Sequence, residues 1–192
     1  VKRTTMRFRL GDLPFERIEQ ASALALPFDD NSFDIVFSHG VLHHIPEIGA
    51  AQREIARVLK PDGKLIAMLY AKWSLNYLLS ISIARRLGLI AIYYLSLKPK
   101  GIYGDHIANA RTIGLLEYLK MRNFMHVSTD GPFNPYSKVY GRREITEDFA
   151  DFEIVETNKE FMHAPPLPVS RLPLAGVLGW HLWTTLKPKK KI

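Results

Sequence analysis

Between residues 21 and 70 the hydrophobic period of the chain changes three times, and that succession restricts the fold more than any other feature. Phe33-Asp34-Ile35-Val36-Phe37 is a short β-branched and aromatic run between turn residues, the pattern of a central strand buried on both faces. Apolar residues then recur at helical steps, at Ile48, Ala51, Ile55 and Val58/Leu59, with Pro46 and Glu47 in the opening turn. Lys60-Pro61-Asp62-Gly63 breaks this helix, because proline cannot continue it and glycine accepts positive φ, and residues 64–70 (KLIAMLY) form a second apolar strand. Strand, helix and strand in one sheet imply a right-handed parallel crossover, and such sheets bind ligands beyond the carboxyl ends of their strands. That position is occupied here by Ser38-His39-Gly40-Val41-Leu42-His43-His44, the candidate site loop.

Four motifs sharpen the expectation: Leu26-Pro27-Phe28 followed by acidic residues, F-D-x-V at Phe33, S-x-G-V-L-H-H at Ser38, and R-V-L-K-P-x-G at Arg57. Together they resemble the second half of a class I S-adenosylmethionine-dependent methyltransferase of the small-molecule kind. The resemblance is close over residues 15–70 and looser over 130–140 and near Trp180. It implies an α/β fold: a Rossmann-like parallel sheet, a helical cap insertion, and an antiparallel last strand at the sheet edge. The implied organisation is 1–70 for the cofactor-binding core, 71–129 for the cap, and 130–192 for a loop, a helix and the closing strands. S-adenosylmethionine is the implied cofactor and a small molecule the implied acceptor.

In that family two earlier strands supply a glycine-rich turn and an acidic residue for the cofactor ribose. Here none of the twelve glycines forms a G-x-G, and residues 1–10 read as a helix already under way without an N-cap. The expectation is an N-terminally truncated chain, its first strands missing and its cofactor affinity weakened; a complete small protein with a degenerate site is the alternative. Residues 15–20 are the next strand candidate.

The resemblance also assigns residues. Ser22 stands where the family has an acidic group for the adenine amine, with Ala23 and Leu24 beside it; a turn-forming hydroxyl is the competing reading of Ser22. Ser38, His39 and Gly40 belong beside the methionine end of the cofactor. His43, near the pocket mouth, and secondarily His44 are the candidate catalytic residues, as proton acceptors or orienting groups, against a packing role. Tyr136 and Tyr140, on the turn-rich loop beginning Asp130-Gly131-Pro132, are expected to line the acceptor pocket. A zinc site is not expected, since His39 and His43 lack an H-E-x-x-H glutamate and a third ligand; Asp29, Asp30 and Asp34 read as turn chemistry.

Composition excludes further classes. Without cysteine there is no disulfide framework, and the formal charge of +7 is spread over a lysine-rich end and scattered arginines without the aromatic interleaving of a nucleic-acid reader. Residues 73–98 are strongly apolar but divided by Arg85-Arg86, which leaves neither half long enough to cross a bilayer and suggests a greasy lid over a hydrophobic acceptor. Asp105 is expected to cap a helix running through Ile107, Ala110, Ile113, Leu116 and Leu119; residues 142–150 form a helix, 152–157 and 179–186 strands, and the lysines from Lys187 a solvated tail. The chain is expected in the cytoplasm, with no nucleic-acid partner, and its strand edges make it prone to aggregate. Two other readings stand beside the enzyme: a catalytically silent methyltransferase-like binding module, and a peripheral enzyme at a membrane surface.

Overall fold

The computed structural model describes residues 1–189, so Lys190 and Lys191 of the expected tail lie outside the described residues. A short N-terminal helix α1 (Lys2–Leu10) forms as read but buries none of its residues. Then β1 (Phe33–His39), α2 (Ile48–Val58) and β2 (Leu59–Ala71) make the crossover, and the two strands pair in parallel from Ile35↔Lys64 to His39↔Met68. The Lys60–Gly63 turn does not separate α2 from β2 as expected. Phe33 pairs with Leu59 before the register shifts, so the turn is an irregularity inside β2.

A helical region follows. Residues Asn76–Ala84 are π-wound and run directly into α3 (Arg85–Tyr94). The expectation of two short apolar halves is therefore corrected: Asn76–Tyr94 is a single helix, long and apolar enough to cross a membrane by length and composition. The paired arginines leave it intact, because the Arg85 guanidinium bonds to Asn76, Ser80, Ser128 and Pro165 and Arg86 bonds back to the Ser82 carbonyl. Next come α4 (Ile102–Ile113), α5 (Leu115–Tyr118) and α6 (Met121–Thr129). Asp105 lies inside the first turn of α4 and does not cap it, and Gly114, at φ +88°, ends the helix that was expected to reach Leu119.

The chain closes with β3 (Val139–Tyr140), α7 (Arg142–Asp148), β4 (Phe152–Glu160), α8 (Ala175–Leu178) and β5 (His181–Pro188). The sheet order is β1-β2-β5-β4, with β3 added in parallel at the end of β2. The last strand is antiparallel, as expected, but it is not at the edge: β5 lies between β2 and β4 and pairs with both. The edge belongs instead to β1, expected to be a central strand buried on both faces, which pairs with β2 on one side and leaves Ile35 and Phe37 exposed. Gly179 makes that insertion possible, since a Cβ there would stand 2.4 Å from the carbonyl oxygens of both Ala175 and Glu160. Residues 15–20 form no strand, and only an isolated Ser22–Ala25 bridge occurs nearby. A strand exists through its partner's hydrogen bonds, and that segment has none.

The side chains of β2 divide the interior. Leu65, Ala67, Leu69 and Ala71 face a core shared with Ile48, Ala51 and Ile55 of α2, Ile145 of α7, and Leu182 and Leu186 of β5. A second cluster joins Tyr70 and Trp180 to the helices through Ile81, Leu89, Ile107 and Phe124. The lysines at the end of β5 are tied down, Lys187 to Asp62 at 3.1 Å and Lys189 to the Ala150 carbonyl at 2.7 Å.

Candidate functional site

The site begins where β1 ends. Gly40 adopts φ +71°, a left-handed conformation that strains any side chain, and a Cβ built there meets only the Met68 methyl at 3.7 Å. The chain then winds into a 3-10 turn, Leu42–His44, because Leu42 at its start and Ile45 just after it pack into the core. This turn carries His43 inward. Its side chain is 0% exposed and lies on the Tyr70 ring, 3.8 Å between centroids, and neither ring nitrogen has a hydrogen-bond partner. Burial first, then the neighbouring His44, hold its pKa down to about 3; the backbone at Met68 pulls the other way without reaching bonding geometry. His43 is thus a neutral buried ring and not a group at a pocket mouth, which corrects its expected position.

His44 is better placed for chemistry. Its Nδ1 lies 2.8 Å from the Tyr136 carbonyl and 3.1 Å from Ser137 Oγ, and its Nε2 lies 3.4 Å from Asp130 Oδ2. Nδ1–H therefore donates to the carbonyl, which leaves Nε2 as the nitrogen that can take a proton, facing a carboxylate. Asp130 in turn accepts from the Tyr70 hydroxyl at 3.0 Å, and burial together with that charge raises the Tyr70 pKa, so the phenol stays a donor. The loop is held rigid from behind. Asn134 Nδ2 donates to the His126 carbonyl at 2.8 Å and to Ser137 Oγ at 2.6 Å, and the Lys138 N–H donates to the His43 carbonyl at 2.9 Å.

Of the two tyrosines assigned to an acceptor, Tyr136 remains half-buried at this loop, stacked on His126 with centroids 5.2 Å apart. Tyr140 does not. It is 1% exposed within the sheet core and its hydroxyl donates to Asp148 at 3.0 Å, because β3 turns it inward beside Phe149. Asp130, Tyr70, Ser137 and His126 were missed in the sequence: 60 residues separate the two ends of the Tyr70–Asp130 bond, and no local pattern announces it.

On the opposite flank, the Ser22 hydroxyl accepts the Leu24 N–H at 3.2 Å, which is turn chemistry. Ala23 packs on the same core as Val36 and Ile45, and Leu24 is exposed. The loop that follows is clamped by α2: Glu54 accepts the Leu26 N–H at 2.9 Å, while Arg57 bonds the Leu26 and Phe28 carbonyls, Glu54 and Asp30. Hydrogen bonding from Arg57 and from Leu26 holds the Glu54 pKa down to about 2. The arginine of the R-V-L-K-P motif is therefore a bracket for this loop. Asp34 pairs with Lys60 at 2.8 Å, and among the described residues no group of three or more potential ligands is placed to hold a metal. Ser38 is half-buried at the strand end, and His39 is exposed and leans over Trp183 at 5.4 Å. Where the implied cofactor is expected, the backbone at Gly40 stands open, the Ser22 hydroxyl is engaged by the Leu24 N–H of its own turn, and no glycine-rich strand-to-helix turn occurs among the described residues.

Residues 2–67 match a family model described as a methyltransferase domain. Over 49 residues the chain is 55% identical to the uncharacterised YafE protein of Escherichia coli (strain K12), covering 26% of this chain and 24% of that protein. Over 74 residues it is 42% identical to the ubiquinone/menaquinone biosynthesis C-methyltransferase UbiE of Shewanella sp. (strain ANA-3), covering 38% and 28%. The matched stretches thus span about a quarter of these curated relatives' lengths. The fold itself superposes on YcgJ of Bacillus subtilis with a TM-score of 0.51 at 16% identity, over 100% of this chain and 79% of that one. A SAM-dependent methyltransferase of Thermotoga maritima, titled a possible histamine N-methyltransferase, gives a TM-score of 0.50 at 14% identity over 98% and 70%.

Proposed function

We propose that this chain, whose residues 2–67 match a methyltransferase domain, is a class I S-adenosylmethionine-dependent methyltransferase and transfers the cofactor's methyl group to a small, largely apolar acceptor. The observation that carries the reading is the left-handed Gly40 turn at the carboxyl end of β1, directly before the His43–His44 pair. When bound, S-adenosylmethionine supplies an electrophilic methyl on a sulfonium. What remains for the protein is alignment and exclusion of water. Ser38, His39 and Gly40 would hold the methionine side, and the Ser22-Ala23-Leu24 turn the adenine side. His43 contributes shape and dryness: a neutral ring packed on Tyr70. His44 carries the proton work, with Nδ1 fixed by the Tyr136 carbonyl and Nε2 free to accept from an acceptor that must lose a proton. Asp130, fixed by the Tyr70 hydroxyl, faces the charge this creates.

Calorimetric titration of S-adenosylmethionine into this chain tests the reading beside Gly40→Val. Binding to the unaltered chain and a loss of ~10-fold or more in the variant are expected, because a β-branched residue cannot hold φ +71° and the turn must shift. Binding that Gly40→Val leaves unaltered would overturn the assignment.

A further inference from the structure

Away from the strand ends, α3, α4 and α6 enclose a cavity of about 480 Å³. Leu89, Ile92, Ile102, Phe124 and Val127 make most of its wall apolar, and no aspartate or glutamate lines it. One strong charge does: the Arg85 guanidinium. All its bonding partners are neutral, namely the Ser80 hydroxyl, the Asn76 amide and the carbonyls of Ser128 and Pro165, and among the described residues it makes no ion pair. Those bonds engage one N–H on each of its three nitrogens, and a guanidinium has five, so two donors are left over. The other basic groups on the wall do not share the charge. His106 and His163 are both shifted toward the neutral form, by burial first and then by Arg85, and His106 Nδ1 is engaged with the Tyr118 hydroxyl at 2.6 Å.

A cation without a counter-ion, half-buried in an apolar pocket, is an arrangement that an anion with a greasy body would complete. We infer that this cavity binds an apolar carboxylic acid, its chain among the aliphatic and aromatic side chains and its carboxylate on Arg85. The inference goes beyond the methyltransferase reading and does not rest on it: it assigns a ligand and no reaction. The cavity adjoins the site through a single segment: Thr129 lines the cavity and bonds Ser137 Oγ at 2.8 Å, and Ser137 Oγ lies 3.1 Å from His44 Nδ1.

The test needs no cofactor. Decanoate and decan-1-ol are titrated separately into the full chain, and decanoate is expected to bind ~10-fold or more tightly, as a charge-assisted contact dictates. Arg85→Gln should bring the two ligands level. Because Arg85 also braces the helices, a second variant decides the matter should that one not fold. Gly88 lines the cavity and a Cβ there meets nothing within 4 Å, so Gly88→Phe should fill the space, weaken both ligands and leave the melting temperature unchanged. Decan-1-ol binding as tightly as decanoate, or decanoate binding unaltered by Gly88→Phe, would overturn the proposal. Decanoate binding beside S-adenosylmethionine binding that Gly40→Val leaves unaltered would instead sink the methyltransferase reading and leave this site standing.

Discussion

The two faces of the sheet are made from the same strands and meet different surroundings. On one, Leu65 and Leu69 of β2 are 0% exposed beneath α2 and α7. On the other, Ile35 and Phe37 of β1 are 57% and 61% exposed, covered only by sparse contact between aromatic rings, such as Phe37 with Trp183 at 5.8 Å. Both sets are hydrophobic, so residue type alone does not say which face holds the molecule together. A side chain stabilises by the water it loses on folding; Leu65 and Leu69 lose it, whereas on the other face Met68 and Tyr70 of β2 lose it beneath the helices and Ile35 and Phe37 of β1 do not.

The sharpest way to break the contrast is to remove one side chain from the covered face. Leu69→Ala should cost about 2–5 kcal/mol by urea denaturation, the range for a cavity in a closed core; a cost near zero would mean that α2 and α7 do not close on the sheet. Next comes the junction of sheet and helices, where His43 lies. Its imidazole titrates near 6.5 when unfolded and near 3 when folded, so the unfolded chain takes up a proton that the folded one refuses. Stability from this group is full above 6.5 and falls by about 1.4 kcal/mol per unit as pH drops from there toward 3. His43→Leu should flatten the stability–pH curve by that slope between pH 6.5 and 5, and an unchanged slope would mean that the ring reaches solvent. The smallest effect belongs to the bare face: Phe37→Thr should alter stability by no more than about 0.5 kcal/mol, while lowering the tendency to associate measured by light scattering.

The same contrast explains what could be read from the sequence. Elements defined by their own periodicity were legible: the span of β1, α2, β2, α7 and the site loop at the end of β1; the edge position of β1, with Ile35 and Phe37 exposed, was not, because a β-branched and aromatic run looks the same at a centre and at an edge. Features defined by a partner far along the chain were not. Residues 15–20 look like a strand but have nothing to pair with, and β5 reads as an edge strand until its insertion between β2 and β4 is seen. Arg85-Arg86 reads as an interruption because its partners lie as far away as Ser128 and Pro165. At the site, Gly40 and His44 were identifiable from their motif, whereas the burial of His43 and Tyr140 depends on how the 3-10 turn and β3 rotate those side chains.

The position of β5 also sets the order in which the molecule can be completed. Among the described residues β4 hydrogen-bonds to β5 and to no other strand, yet twenty residues separate it from β5, so on the ribosome it must wait, unpaired, until the chain from His181 onward has emerged. A stop codon before His181 would therefore cost two strands and strip β2 along the side β5 covers, and this protein should respond to C-terminal nonsense mutations with loss of the whole product rather than with a slightly shorter one.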